Sequence, residues 1–278
     1  MTLHPAPPDS GIVFRRTGSA VEIRANWTNT TESPLSTVLS NGEGNTVGTV
    51  EHLMAALAGA AIDNAVVELD GREVPIMDGS SAPFLFLIEC AGVIEQDAAR
   101  RAIKVLKEVS VTEDGATAAL LPDHGFSMSF EIDFHNPLIR QQDVCLVFDA
   151  DTFKTELSRA RTFGLLDELD RLRAAGLARG GSLDNAVVVG RDHVLNVGGL
   201  RYADEFVRHK LLDAFGDLYL AGGPLLASFR GVRSGHAHTR HLLTALFTDH
   251  EAWCHTTLSR PTHPGERAWQ DGLQLAGD

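Results

Sequence analysis

Apolar positions in this chain fall into short alternating runs and longer stretches with helical spacing. Residues 50–58 are rich in strong helix formers and follow Thr49, a side chain suited to an N-cap. Asp63-Asn64 breaks that helix, and residues 65–69 read as a strand closing on the Asp70-Gly71 turn. Residues 83–88 read as a buried helix with Pro83 in its first turn. A polar, charged segment over 95–101 marks the best break in the pattern. Beyond it, strands over 103–112 and 117–121 flank the Glu113-Asp114-Gly115 turn, and strands over 126–134 and 144–148 follow. Helical patterns then cover 152–159, 165–175, 203–220 and 237–246, with strands at 186–189 and 225–229 among them.

Each half therefore reads as several strands plus about two helices, without regular strand–helix–strand alternation. That pattern predicts an α+β fold, each half a mixed sheet with helices packed on one face. The expected division is a first domain over 1–98, a second over 102–250 and a loosely held tail over 259–278, where Pro261, Pro264 and Gly265 occur.

Composition narrows the function classes. The chain has 278 residues, with 44% hydrophobic and 22% charged positions, the balance of a protein with a substantial core. Its net charge of −13, from 24 basic and 37 acidic residues, argues against a nucleic-acid partner. A phosphorylated ligand stays compatible, since a few basic side chains focused in one cleft override the global sign. Three cysteines, Cys90, Cys145 and Cys254, lack metal-type spacing and fit a reducing cytoplasm. No stretch reads as a signal peptide or a transmembrane span. The expectation is a cytoplasmic monomer.

Three segments carry candidate chemistry. On a helix, His209 and Asp213 stand four residues apart and project from one face, as two ligands of one metal ion would. The same spacing also describes a surface ion pair. Glu51 and His52 are adjacent at a helix start, so that His52 could ligate while Glu51 reaches a water from the side, or both could be solvated. His236, His238 and His241 open the last long helix and could serve as ligands, acids or surface.

Six ordered segments then point to one family: Thr49-Val50-Glu51-His52-Leu53, Pro75 through Phe84, Ala160-Arg161-Thr162-Phe163-Gly164, Gly180-Gly181-Ser182, Asp204 through Asp213, and Ser234-Gly235-His236. In order and spacing, from about residue 3 to about residue 247, they resemble the UDP-3-O-acyl-N-acetylglucosamine deacetylases, which commit sugar nucleotides to lipid A synthesis. The resemblance implies two similar α+β domains with a metal between them. It implies that His52, His209 and Asp213 ligate Zn²⁺, for which Fe²⁺ is an alternative with the same ligands. It assigns Glu51 as general base, His236 as general acid and Thr162 as the hydroxyl that holds the developing oxyanion.

The resemblance also places Phe163 beside the sugar and Lys210 along the lining of the site, and Lys210 and Arg233 are the candidates among the basic residues to grip the uridine diphosphate. Arg233 stands where a lysine is common in the family. Residues 176–204 resemble the insert through which the fatty acyl chain passes. Met1 falls just before Pro5-Ala6-Pro7, where the family has a preceding strand and a Gly-Leu-His loop; the expectation is that in-frame codons upstream encode them, the alternative being that this chain dispenses with them. One further assignment comes from helix geometry: Asp217, one turn beyond Asp213, continues the same face and is expected to pair with His236, keeping it protonated at the positive end of its helix. The implied reaction is hydrolysis of the acetamide of UDP-3-O-acyl-N-acetylglucosamine. The rival readings are a zinc amidase of another N-acyl sugar and a catalytically inactive binding module of the same fold.

Overall fold

The computed structural model describes residues 1–258. Strands β1 (Thr2–Pro5), β2 (Ile12–Arg16) and β3 (Glu22–Arg24) open the chain, followed by the short strands β4 (Thr30–Thr31), β5 (Val38–Ser40) and β6 (Thr46–Val47). Helix α1 (Glu51–Gly59), strand β7 (Ala65–Leu69) and helix α2 (Ala82–Ala91) complete this half. Its main sheet has the order β1-β7-β2-β3, with β7 antiparallel to β1 and parallel to β2. Along β7 the side chains of Ala65, Val67 and Leu69 are buried while those between are half-buried, the period-two pattern of a sheet with one face on the core.

The second half begins with β8 (Arg101–Val105), β9 (Val109–Glu113), β10 (Ala116–Pro122), β11 (Phe126–Asp133) and β12 (Gln141–Val147). Then come β13 (Phe163–Leu165), α3 (Leu166–Ala174), β14 (Val187–Val189), α4 (Glu205–Leu218), β15 (Leu225–Val232), α5 (His236–Thr248) and β16 (Trp253–Thr257). Strands β9–β12 and β15 form a large mixed sheet in the order β12-β11-β15-β10-β9, which β8 and β16 extend beside β15, while β13 and β14 pair with each other in a separate small sheet. The architecture is α+β, as the hydrophobic pattern predicts.

Three local expectations are corrected. The strand expected over 103–112 is two strands, because its first part, β8, pairs with β16 and the start of β15 while its second part, β9, pairs with β10. Thr49 is not the cap of α1: it has φ of 56°, and Val50 takes the N-cap position with its N–H on the carbonyl of Thr37. The helix expected over 152–159 is a single π-type turn, Phe153–Leu157. The expected tail over 259–278 lies outside the described residues.

Helices α1 and α4 are buried almost all round, and they cross at the centre of the molecule. In α1 every residue from Glu51 to Ala58 is buried, and in α4 only Arg208 and Lys210 are not. The crossing is close because Gly216 of α4 has no side chain. A Cβ there would collide with the carbonyl of Glu51 and stand 3.0 Å from the amide nitrogen of Ala55. Only this absence lets the start of α1 lie directly on α4.

Candidate metal centre and its acid–base neighbours

Helix α4 carries a polar stripe inside an otherwise apolar surround. Glu205, His209, Asp213 and Asp217 recur every fourth residue, so they share one face, and all four are buried. Buried polar groups are costly unless satisfied, and each member of the stripe has its own partner. Glu205 accepts from the Arg161 guanidinium at 2.8 Å and from the backbone N–H of Arg201 at 2.6 Å. His209 Nδ1 lies 3.1 Å from the carbonyl oxygen of Ala160, which makes Nδ1 the protonated nitrogen and leaves Nε2 free to ligate.

Across the crossing, α1 delivers His52. Its Nε2 lies 3.5 Å from Asp213 Oδ1, and His209 Nε2 lies 3.3 Å from the same oxygen. One ligand atom from each of His52, His209 and Asp213 falls within 4.8 Å of the others. Asp213 Oδ1 is nevertheless a buried acceptor with no hydrogen-bond donor among the described residues. Two imidazole nitrogens and a carboxylate oxygen that converge without bonding one another are the donor set of a divalent cation. The residues present therefore fit a zinc or iron(II) ion. Burial depresses the His209 pKa to about 4, against the pull of Asp213, so the ring is neutral as a ligand must be. Asp213 is held well below the usual carboxylate range: burial opposes this, but His209 and Lys210 outweigh it. Lys210 Nζ donates to Asp213 Oδ2 at 3.2 Å.

Two acid–base groups flank this cluster. Glu51, one residue before His52, is buried and accepts the backbone N–H of Thr37 at 3.0 Å through Oε2. Burial raises its pKa, and the neighbouring His236 and His52 only partly offset that. His236, the first residue of α5, donates from Nδ1 to Asp217 Oδ2 at 2.7 Å, while Nε2 lies 3.9 Å from Asp213 Oδ2. Burial would lower its pKa, but the Asp217 carboxylate prevails and holds it up at about 9. The positive end of α5 would by itself disfavour the imidazolium.

The remaining candidates are spread around this core. Thr162 leads into β13, its N–H bonded to Gly79 and its carbonyl to the Val187 N–H, two residues after the Ala160 carbonyl that orients His209. The Phe163 ring packs edge-on against Phe206 and Phe134 and lies 6.3 Å from the His209 ring. Arg233 has φ of 52° and is exposed, and its guanidinium is directed to the carbonyl oxygen of Gly115. His238 and His241 stand apart from the cluster: His238 accepts the Gly235 N–H, and His241 pairs with Glu113.

Sequence reasoning missed Thr37, which touches Glu51, Asp217 and His236. It lies 180 positions from Asp217, in a polar stretch with no motif around it. Also missed was the Arg161–Glu205 pair, which fixes the segment leading into Thr162.

The comparisons agree with this geometry. Residues 1–248 match the family model described as LpxC, UDP-3-O-acyl N-acetylglycosamine deacetylase. A UDP-3-O-acyl-N-acetylglucosamine deacetylase of Marinobacter nauticus is 51% identical over 257 residues, covering 91% of this chain and 84% of the relative. With a family model spanning most of its length and half of the aligned residues identical to such a relative, the chain belongs to the UDP-3-O-acyl-N-acetylglucosamine deacetylase family.

Proposed function

We propose that this chain hydrolyses the acetamide of UDP-3-O-acyl-N-acetylglucosamine, releasing acetate and the free amine. The observation that carries the reading is the convergence of His52, His209 and Asp213 between two acid–base groups, Glu51 and His236, in a member of this family. A divalent ion held by those three ligands supplies Lewis acidity, polarising the amide carbonyl and acidifying water. Glu51, with its raised pKa, takes a proton from the attacking water as that oxygen bonds to the acetyl carbon. Thr162 donates its hydroxyl to the oxyanion. His236 passes the proton on Nε2 to the glucosamine nitrogen, and the C–N bond breaks to leave an amine rather than an amide anion. Asp217 keeps that imidazole charged and aligned beforehand.

Phe163 lies beside the sugar in this reading, while Lys210 and Arg233 hold the diphosphate. Residues 176–204 form the passage for the acyl chain, inserted in a second domain over 102–250 that follows a first over 1–98. In this reading the protein acts as a cytoplasmic monomer. Separately, no helix among the described residues is long and apolar enough to cross a membrane. The test is metal content of the purified protein together with acetate release from the acylated sugar nucleotide. One equivalent of zinc or iron and stoichiometric acetate are expected. Release from other N-acetyl sugars at equal kcat/KM would overturn the substrate assignment.

A further inference from the structure

Thr37 sits immediately before β5, is buried, and uses all three of its polar groups at the reacting end of the site. Its N–H donates to Glu51 Oε2 at 3.0 Å and its carbonyl accepts the N–H of Val50, the residue before Glu51. Its hydroxyl donates to Asp217 Oδ1 at 2.5 Å and lies 3.1 Å from His236 Nδ1. Among the described residues, the hydrogen bonds to Asp217 come from Thr37 on Oδ1 and from His236 on Oδ2. The carboxylate can rotate about its bond to Cβ, and the His236 contact alone leaves that rotation free. A second donor on the other oxygen fixes its plane, and with it the direction of the imidazole whose Nε2 must meet the substrate nitrogen.

From this geometry we infer that Thr37 is a positioning residue that holds the base Glu51 and the Asp217–His236 acid pair in register, its backbone gripping one and its hydroxyl the other. The inference rests on the reading of Glu51 and His236 as base and acid. The hydroxyl's share is separable from the backbone's, because a side-chain substitution leaves the N–H and carbonyl in place. Valine has the branched shape of threonine without the donor, and serine has the donor without the methyl.

The test is steady-state kinetics of Thr37→Val and Thr37→Ser in the metal-loaded enzyme, with metal content measured alongside. Thr37→Val should keep one equivalent of metal and a KM within a few-fold of wild type, while kcat falls by roughly 10–100-fold, the usual cost of losing a group that orients a functional side chain. Thr37→Ser should recover most of that loss. In an Asp217→Ala background, where the hydroxyl has no carboxylate to hold, Thr37→Val should cost less than about twofold. Wild-type kcat in Thr37→Val, equal losses in the valine and serine variants, or full additivity with Asp217→Ala would each overturn the inference. Failure of the underlying reading looks different: Glu51→Gln and His236→Gln would then retain wild-type turnover. If both are inactive while Thr37→Val is fully active, only the role of Thr37 is lost.

Discussion

Gly216 of α4 lies against the backbone carbonyl of Glu51 at the start of α1, with no space between them for a methyl group. This contact sets the distance at which His52 faces His209 and Asp213, since His52 follows Glu51 directly and Asp213 lies three residues before Gly216. Gly216→Ala must push the two helices apart or bend one of them. Overpacking of this kind costs about 1–3 kcal/mol of stability, and here it also spreads the ligand set. The expected outcome is a lower denaturation midpoint together with weaker metal retention during dialysis. A variant with both unchanged would show that the crossing adjusts freely.

Metal retention should depend on both halves of the chain. Asp213→Ala removes an oxygen aimed at both imidazoles, and His52→Ala removes the ligand supplied by α1. Each is expected to reduce bound zinc or iron to well below one equivalent, as read by elemental analysis. If the double variant still carries a full equivalent, the ion binds elsewhere.

Glu51→Gln keeps the length and polarity of the side chain but cannot take a proton. Since Glu51 is not in the ligand set, the metal should stay while kcat falls by about 10²–10⁴-fold, the range for loss of a general base. Near-full deacetylase activity in that variant would remove Glu51 from the mechanism.

The pH dependence follows from which protonation state each group needs. As the proposed acid, His236 must enter the reaction protonated, so activity is expected to fall as the pH rises through its pKa of about 9. Asp217→Asn withdraws the charge that sustains that value and should move the alkaline limb of the kcat/KM profile to lower pH. As the proposed base, Glu51 must be ionised, and burial raises its pKa, so the acidic limb should lie above the range of an ordinary glutamate. Asp217 is a minor influence on Glu51 beside burial and the two histidines, and that limb should move little in the variant. An unmoved alkaline limb would mean that His236 draws its proton affinity from another source.

What the sequence revealed follows from where the relevant forces are local. His209, Asp213 and Asp217 share a face because helix geometry fixes the spacing of residues four apart, and a sequence displays that directly. The α+β class was legible for the same reason, in periods of two and of helical spacing. The break of 103–112 into β8 and β9 was not legible, because it is decided by pairing with β16, about 150 positions away along the chain. The capping of α1 was misread because Thr37 supplies the carbonyl that takes the Val50 N–H, so Thr49 is free to adopt a left-handed turn. Thr37 escaped for a related reason: a lone threonine in a polar segment carries no periodic signature, and its importance exists only once α1, α4 and α5 have met around it.

The origin of the site residues along the chain has a consequence for how the protein can fail. Thr37, Glu51 and His52 are synthesised first, and His209, Asp213, Asp217 and His236 emerge only after most of the remaining chain. No early fragment holds a complete ligand set or an acid paired with its base. During translation the site therefore stays incomplete until α4 and α5 have both come to lie against α1 and Thr37. Activity per molecule then serves as a gauge of finished folding: a destabilised variant should show a mixture of fully competent and inert molecules, rather than a uniform population of slower ones. Active-site titration against total protein would separate those two pictures.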